Sequence, residues 1–390
     1  AVFGTGFRGV PEGRFAEAIA CMNRSGAKIV SADIPSGLNG DSGAFAQCVK
    51  ADITVTIGER KSGLLLGDGP DVCGKVIRRD IGIELPAPAQ AGLCSAADFA
   101  GVFPPRRANT NKGSFGKAVI LAGSAAYSGA PLLSAAAALK CGCGYTRLAV
   151  PADIFPQYIG RLPDAILTSA PAENGCLRFD AEFMQTLSRG ANAFAVGMGC
   201  GVSRGVYESL AYLLSAFRGT LVIDADALNS LAEYGADILR EKSCRAILTP
   251  HPKEFSRLCA KPLEEVLRNG AALAKEFAAE YGVIVLLKGH TSIVTNGKFT
   301  VFCTEGTPAL AKGGSGDVLS GIVASLAARG VSAMDSAACG SWLLGRAGRL
   351  AAEAQGNEYS VCPSDVISCL PAAIARLIEE SAAESKKTEY

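Results

Sequence analysis

The chain has 390 residues, enough for two or three domains. Hydrophobic residues make up 49% and charged ones 19%, which excludes a disordered chain, and a net charge of +1 gives no basic excess for a nucleic-acid or membrane partner. The 14 cysteines stand singly apart from Cys141 and Cys143, no CxxC pair occurs and only two histidines are present, so a Cys/His zinc site is not expected. Scattered thiols read instead as small core residues of a reducing, cytoplasmic protein. No apolar run is long enough for a membrane span.

In chain order, Val2 and Phe3 read as a strand stub running into Gly4, Thr5, Gly6, Phe7, Arg8, Gly9 and Val10. A glycine-rich loop after a strand can hold a phosphate, although the full GxGxxG pattern is not met. Residues 15–22 read as a helix and 28–32 as a short strand. A polar loop follows at 33–43, at the carboxyl end of that strand, where open α/β sheets bind ligands; a Pro/Gly-punctuated turn is the plainer reading. Strands at 53–57 and 76–78 continue an α/β half-domain without its first elements, and the opening reads as a chain cut inside a domain. Residues 85–92, with two prolines and no charge, are the clearest linker.

Beyond it the pattern restarts. Strands are expected at 117–121, 146–150, 193–196, 220–223, 246–248 and 283–287, with helical stretches between most of them. That alternation predicts a mainly parallel sheet covered by helices on both faces. Pro131 opens an Ala-rich helix, Asn296-Gly297 signals a hairpin, and the charged tail reads as frayed. The strand ends collect polar loops: Gly197 to Gly201, Asp224 to Asn229, Thr249 to Phe255 and Lys288 to Ser292. In a parallel sheet all of these converge on one edge. Singly each has an ordinary reading: His251 as a structural histidine, Lys288 as a solvated lysine, Asp224 and Asp226 as helix caps.

The stretch around Gly313-Gly314-Ser315-Gly316-Asp317 concentrates the chemistry. Val318, Leu319, Ile322, Val323 and Leu326 follow at the spacing of one helix face, so the loop delivers free N–H groups to a helix N-terminus, where an anion is favoured. An acid in such a place is costly unless it has a task. Asp317 fits a general base in phosphoryl transfer, or, more simply, an N-cap.

The runs NTNKGSFGKAVILAGS, VIDADALN, LTPHPKEF, LLKGHTS and AKGGSGDVLSG resemble the nucleotide-dependent NAD(P)H-hydrate dehydratases over residues 93–380. GTGFRGV with SADIPSGLNGDSG resembles the second half of the NAD(P)H-hydrate epimerase domain, over residues 1–84, leaving 381–390 as a charged tail. The resemblance implies a ribokinase-like fold, preceded by a truncated Rossmann-like half-domain. It also implies dehydration of the S form of hydrated NADH or NADPH, with ADP giving AMP and phosphate. Lys288, Gly289, His290, Thr291 and Ser292 would hold ADP. So would Thr307, Pro308, Ala309, Leu310, Ala311, Lys312, Gly313, Gly314, Ser315 and Gly316. Ala130, Gly199 and His251 would line the hydrate site, with Asp317 as substrate contact and base. Mg2+ would accompany ADP, with Glu254 helping to place it. In the front segment Gly4, Thr5, Gly6, Phe7, Arg8, Gly9, Val10 and Asp33 match substrate positions and Ser36 a potassium ligand. With the other half of that domain outside this sequence, the chain is expected to dehydrate the S hydrate without interconverting R and S. A homo-oligomer is also implied. The competing readings are a ribokinase-like kinase of hydroxymethylpyrimidine or thiazole type, and a nucleotide-binding module without catalysis.

Overall fold

The computed structural model describes residues 2–82 and 89–388, with side chains through 383. The residues fall into two units, Ala1–Gln90 with Leu263–Gly270, and Ala91–Pro262 with Ala271–Tyr390. The first unit carries α1 (Gly13–Arg24), β1 (Val30–Ala32), β2 (Ile53–Ile57), α2 (Gly69–Cys73) and β3 (Lys75–Arg79). Its three strands pair in parallel in the order β1-β2-β3. The alternation ITVTI places Thr54 and Thr56 inward, and the Thr54 hydroxyl donates to the Cys73 carbonyl at 2.7 Å. Ile34, Leu38, Cys48, Leu64, Val72 and Cys73 form its small core. Val2 and Phe3 do not form the expected strand; their N–H groups bond the Ser36 hydroxyl instead of a neighbouring strand.

The second unit begins with β4 (Ala91–Leu93), β5 (Lys117–Leu121), α3 (Ala130–Lys140), β6 (Tyr145–Pro151) and β7 (Ile166–Ala170). A two-stranded ribbon of β8 (Ala172–Glu173) and β9 (Cys176–Leu177) precedes α4 (Ala181–Ser188), β10 (Ala193–Val196), α5 (Arg204–Ala216), β11 (Thr220–Ile223) and α6 (Ala225–Tyr234). Then come β12 (Arg245–Leu248), α7 (Pro252–Leu258), α8 (Leu263–Tyr281, of which Leu263–Gly270 fall in the first unit), β13 (Ile284–Leu287), β14 (Ser292–Thr295) and β15 (Thr300–Cys303). The chain closes with α9 (Ser315–Ala328), α10 (Ala333–Gln355) and α11 (Pro363–Thr388).

Ten of these strands make one sheet in the order β4-β15-β14-β13-β12-β11-β10-β5-β6-β7. Pairing is parallel except at β13–β14 and β14–β15, the hairpin that Asn296-Gly297 announces. Its turn closes because the Asn296 side chain accepts from the N–H groups of Lys298 and Phe299, while Gly297 takes φ +84. The strand order reverses between β5 and β10, so a crevice is expected beyond their carboxyl ends.

Two expectations need correction. The end of the anticipated linker is structured, because Ala91–Leu93 pairs in parallel with β15; residues 85–88 of that linker lie outside the described residues. The tail is helical rather than frayed, since α11 runs to Thr388. Its Val366, Leu370, Ala373 and Leu377 recur three or four apart and are buried, so the apolar stripe holds the helix down. Sequence periodicity also missed β7, β8 and β9. These strands are short or half-exposed and carry no alternation long enough to read.

The helix α9 is buried along nearly its whole length, with Val318, Leu319, Ile322, Val323 and Leu326 each at most 2% exposed. It is buried on almost every side, its serines included, and packs against α3, α10 and the sheet. At about 1.5–3 kcal/mol for each large buried side chain, this packing fixes the helix axis and hence the aim of its N-terminus.

Candidate active site

Gly314 precedes α9 with φ +100, a left-handed conformation suited to glycine, and a Cβ there would also lie 2.7 Å from Leu133 Cδ1. Asp317 is the third residue of the helix and does not cap it; no capping bond is formed at this terminus. Its backbone carbonyl accepts from the Ser134 hydroxyl at 2.9 Å, which ties the first turn of α9 to α3. Burial raises the Asp317 carboxyl to about 7; Asp224, Asp226 and Glu254 add to the rise, and Lys288 opposes it. A carboxyl poised there can accept a proton near neutral pH.

Beside it lies a cavity of about 720 Å³. Of the expected nucleotide residues, Lys288, Gly289, His290 and Ser292 line it, as do Thr307, Pro308, Leu310, Ala311, Lys312, Gly313, Gly314, Ser315 and Gly316. Thr291 and Ala309 do not: Ala309 is buried at 4% exposure, and the Thr291 hydroxyl is buried without a hydrogen-bond partner. Gly306 matters for space, since a Cβ on it would stand 2.1 Å from the His290 carbonyl oxygen.

The polar floor is a charge network. Asp224, 2% exposed, accepts from Lys288 Nζ at 2.8 Å and from the Ser320 hydroxyl at 2.7 Å. Lys288 Nζ also lies 3.8 Å from Glu254. Burial works against the Lys288 ammonium, but Asp224, Glu254 and Asp317 outweigh it and hold the pKa above the ordinary lysine value. Lys288 is therefore neither a solvated lysine nor a free phosphate ligand; its cation is anchored from below by Asp224. A Cβ on Gly316 would sit 3.3 Å from Lys288 Nζ, so glycine leaves the cation room directly under the loop.

His251 also faces the cavity, and it has the structural role considered for it as well. Its Nδ1 accepts from the N–H groups of Lys253 and Glu254 at 3.1 and 3.2 Å, while Glu254 accepts from the His251 N–H at 2.8 Å. This reciprocal cap starts α7 and leaves Nδ1 without a proton. Burial lowers the His251 pKa, with Glu254 opposing, which agrees with a neutral ring.

Ala130 and Gly199 lie outside that cavity but next to each other, at the point where the strand order reverses. The Gly123 N–H after β5 donates to Met198 O after β10 at 2.9 Å. Gly199 has φ +65, and a Cβ on it would be 2.7 Å from Tyr127 Cβ and 3.2 Å from Ala130 Cβ. Neighbouring Gly201 donates its N–H to Asp226 at 2.8 Å. Ala130 starts α3 one turn before Ser134, so the Ser134–Asp317 bond joins this point to the first turn of α9.

In the first unit, Gly4, Gly6, Arg8, Gly9 and Val10 are exposed, and Thr5 and Phe7 are half-buried. Asp33, at φ +68, accepts from Lys61 and from the Ile57 N–H at 3.0 Å. Burial acts to raise its pKa, yet Lys61 and the Ile57 N–H prevail and hold it below the ordinary value. The Ser36 hydroxyl accepts from the Val2 and Phe3 N–H groups at 2.8 and 3.1 Å and donates to Phe3 O at 3.2 Å. A hydroxyl so engaged has no lone pair left for a cation, so as arranged the Ser36 hydroxyl does not fit a potassium ligand.

Sequence reading missed Ser320, which holds Asp224, and Ser341, Leu344 and Gly345 of α10, which wall the cavity. Ser320 lies one turn beyond Asp317 within the run AKGGSGDVLSG. The α10 residues come from a helix after the motifs, and only the packed fold brings them to the site.

A parallel α/β sheet, a glycine-rich loop feeding a buried helix, and an acid at its first turn define a ribokinase-like, nucleotide-dependent enzyme. The crystal structure of ADP/ATP-dependent NAD(P)H-hydrate dehydratase from Bacillus subtilis, co-crystallised with ATP/Mg2+, is similar at 25% identity and TM-score 0.63, covering 73% of this chain and 98% of that one. A ribokinase-like superfamily protein from Enterococcus faecalis V583 shares the fold, at 22% identity and TM-score 0.63, over 76% of this chain and 99% of that one. The family pattern described as NAD(P)H-hydrate dehydratase matches residues 118–372, and that described as YjeF-related protein N-terminus matches residues 1–63. The bifunctional NAD(P)H-hydrate repair enzyme Nnr of Thermofilum pendens is 34% identical over 97% of this chain and 73% of its own length. That of Vibrio cholerae is 32% identical over 92% of this chain and 71% of its own. The chain belongs to the NAD(P)H-hydrate dehydratase family, in its bifunctional form.

Proposed function

We propose that this protein repairs hydrated NADH and NADPH, dehydrating the S hydrate at the expense of ADP and releasing AMP and phosphate. The observation that carries the reading is Asp317, held at the first turn of α9 with a carboxyl near 7, beside a glycine-walled cavity of nucleotide size. Hydroxide is a poor leaving group, so the hydroxyl must first be phosphorylated. Asp317 takes the hydroxyl proton, the hydroxyl oxygen bonds to the terminal phosphorus of ADP, and the phosphorus–oxygen bond to AMP breaks. The carbon–oxygen bond then breaks as phosphate leaves, the adjacent ring carbon gives up a proton, and the double bond re-forms.

The N–H groups at the start of α9 and the Lys288 cation stabilise the phosphates, and the crevice at Ala130 and Gly199 takes the nicotinamide end. Among the described residues there is no group of three or more His, Cys, Asp or Glu that could form a protein cage for a metal. Glu254, a carboxylate at the cavity, fits Mg2+, which is bound largely through substrate phosphates and water. Glu254 and the nucleotide would hold it, and it would neutralise the transferring phosphoryl charge. Residues 1–63, which match the YjeF-related N-terminus, correspond to the epimerase domain of the bifunctional form.

Incubation with hydrated NADH and ADP tests the reading. Absorbance at the NADH band returns if the chain dehydrates, whereas a kinase of the same fold leaves a stable phosphate ester and no absorbance.

A further inference from the structure

At the far ends of α3 and α9 the second unit opens a second cavity of about 870 Å³. The 14 residues of α9 put it roughly 21 Å from the catalytic turn, at about 1.5 Å per residue. Four cations line it, Arg106, Arg107, Lys140 and Arg329, against two acids, Asp98 and Asp335. Both acids are held by their own turns: Asp98 accepts from the Ser95 N–H at 2.7 Å and Asp335 from the Ser332 hydroxyl at 2.7 Å. Among the described residues none of the four cations is paired with a carboxylate.

Part of this charge has an ordinary task. Arg329 donates to the carbonyls of Cys141 and Val102 at 3.3 and 2.6 Å, and Arg106 to Gly142 at 3.0 Å, which suits the negative ends of two helices. Arg107 and Lys140 have no such task; among the described residues their side chains meet no hydrogen-bond partner. Four like charges round one cavity repel, and burial together with the Arg106 charge holds Arg329 below the ordinary arginine value. Aromatic rings back two of the guanidinium groups. The Arg106 guanidinium lies 4.0 Å from the Phe115 ring centre and that of Arg329 lies 4.4 Å from the Phe103 ring, and Ile374 and Ile378 add apolar surface to the lining.

We propose that this cavity is a second binding site, for a phosphate ester with a flat apolar body of about nucleotide size. Arg107 and Lys140 hold the phosphate, and the Phe-backed guanidinium planes stack on the body. The size falls within the ordinary range of ligand pockets.

Calorimetric titration with 2-naphthyl phosphate tests it, with inorganic phosphate and 2-naphthol as controls. The ester binds at least about tenfold tighter than either control, because each supplies only half of the recognition. Arg107→Ala with Lys140→Ala weakens the ester about tenfold or more, the scale of lost charge-assisted hydrogen bonds. That double variant retains wild-type turnover and ADP dependence, which shows that it is folded. Lys288→Ala, in the catalytic cavity, leaves the ester's affinity unchanged. The proposal is overturned if the ester binds no better than phosphate, if the double variant binds it normally, or if Lys288→Ala abolishes binding.

Discussion

Asp317→Asn is expected to disable the enzyme and at the same time stabilise the fold. The carboxyl goes from an ordinary value of 3.8 to about 7 in the native protein, chiefly by burial. At about 1.36 kcal/mol per pH unit this is a cost of roughly 4 kcal/mol for holding the charge in place, an upper bound because the site opens to water. The sign follows from proton counts. Below 3.8 both states are protonated and nothing is lost; between 3.8 and about 7 the folded state binds more protons than the unfolded one, so stability falls as pH rises; above 7 the loss is complete and constant. Asparagine has the same shape and no charge, so the variant escapes the loss. Urea unfolding of both proteins from pH 4 to pH 8 should show a stability difference in favour of the variant that grows to roughly 2–4 kcal/mol and levels off above pH 7. Turnover falls about 10²–10⁴-fold with ADP binding retained. A variant no more stable than wild type at pH 8, or one with near-normal turnover, would refute the account of Asp317 as a buried base.

The other predictions concern its supports. Wild-type turnover should rise with pH through about 7 as Asp317 ionises, and a rate flat from pH 5 to pH 8 would exclude it as the titrating base. Lys288→Ala leaves Asp224 buried without its cation, so it should raise the KM for ADP more than that for the hydrate and cost roughly 3–5 kcal/mol in urea melts; equal KM effects would move this loop away from the nucleotide. Ser320→Ala removes a 2.7 Å bond to Asp224 and should cost about 1–3 kcal/mol with turnover reduced less than in Asp317→Asn. Gly316→Ala places a methyl 3.3 Å from Lys288 Nζ and should weaken ADP binding while the melting profile stays close to wild type.

Much of this site is legible in the sequence because it is built from strand ends. Thr220–Ile223 and Ala193–Val196 are short apolar runs, buried on both faces, and their loops carry Asp224 and Gly199 to the common edge. The glycine loop is legible for the same reason, since an apolar period begins immediately after Asp317. What the sequence does not carry is partnership. Nothing local says that Lys288 pairs with Asp224 across 64 residues, that Ser320 holds the other carboxylate oxygen, or that Ser36 spends its hydroxyl on Val2 and Phe3. Short elements are hidden for a related reason. Ala91–Leu93 becomes a strand only because β15 offers an edge, and the charged tail through Thr388 is helical as the end of α11, whose apolar stripe at Val366, Leu370, Ala373 and Leu377 is buried upstream of it.

The central claim is a phosphoryl transfer followed by elimination on one substrate, and product stoichiometry tests it most directly. With S-hydrated NADH and limiting ADP, NADH, AMP and inorganic phosphate should form in equal amounts, with no recovery in Asp317→Asn. AMP formed with a persistent phosphorylated hydrate and no NADH would mean that the chain is a kinase, and NADH formed without AMP would contradict the phosphorylated intermediate.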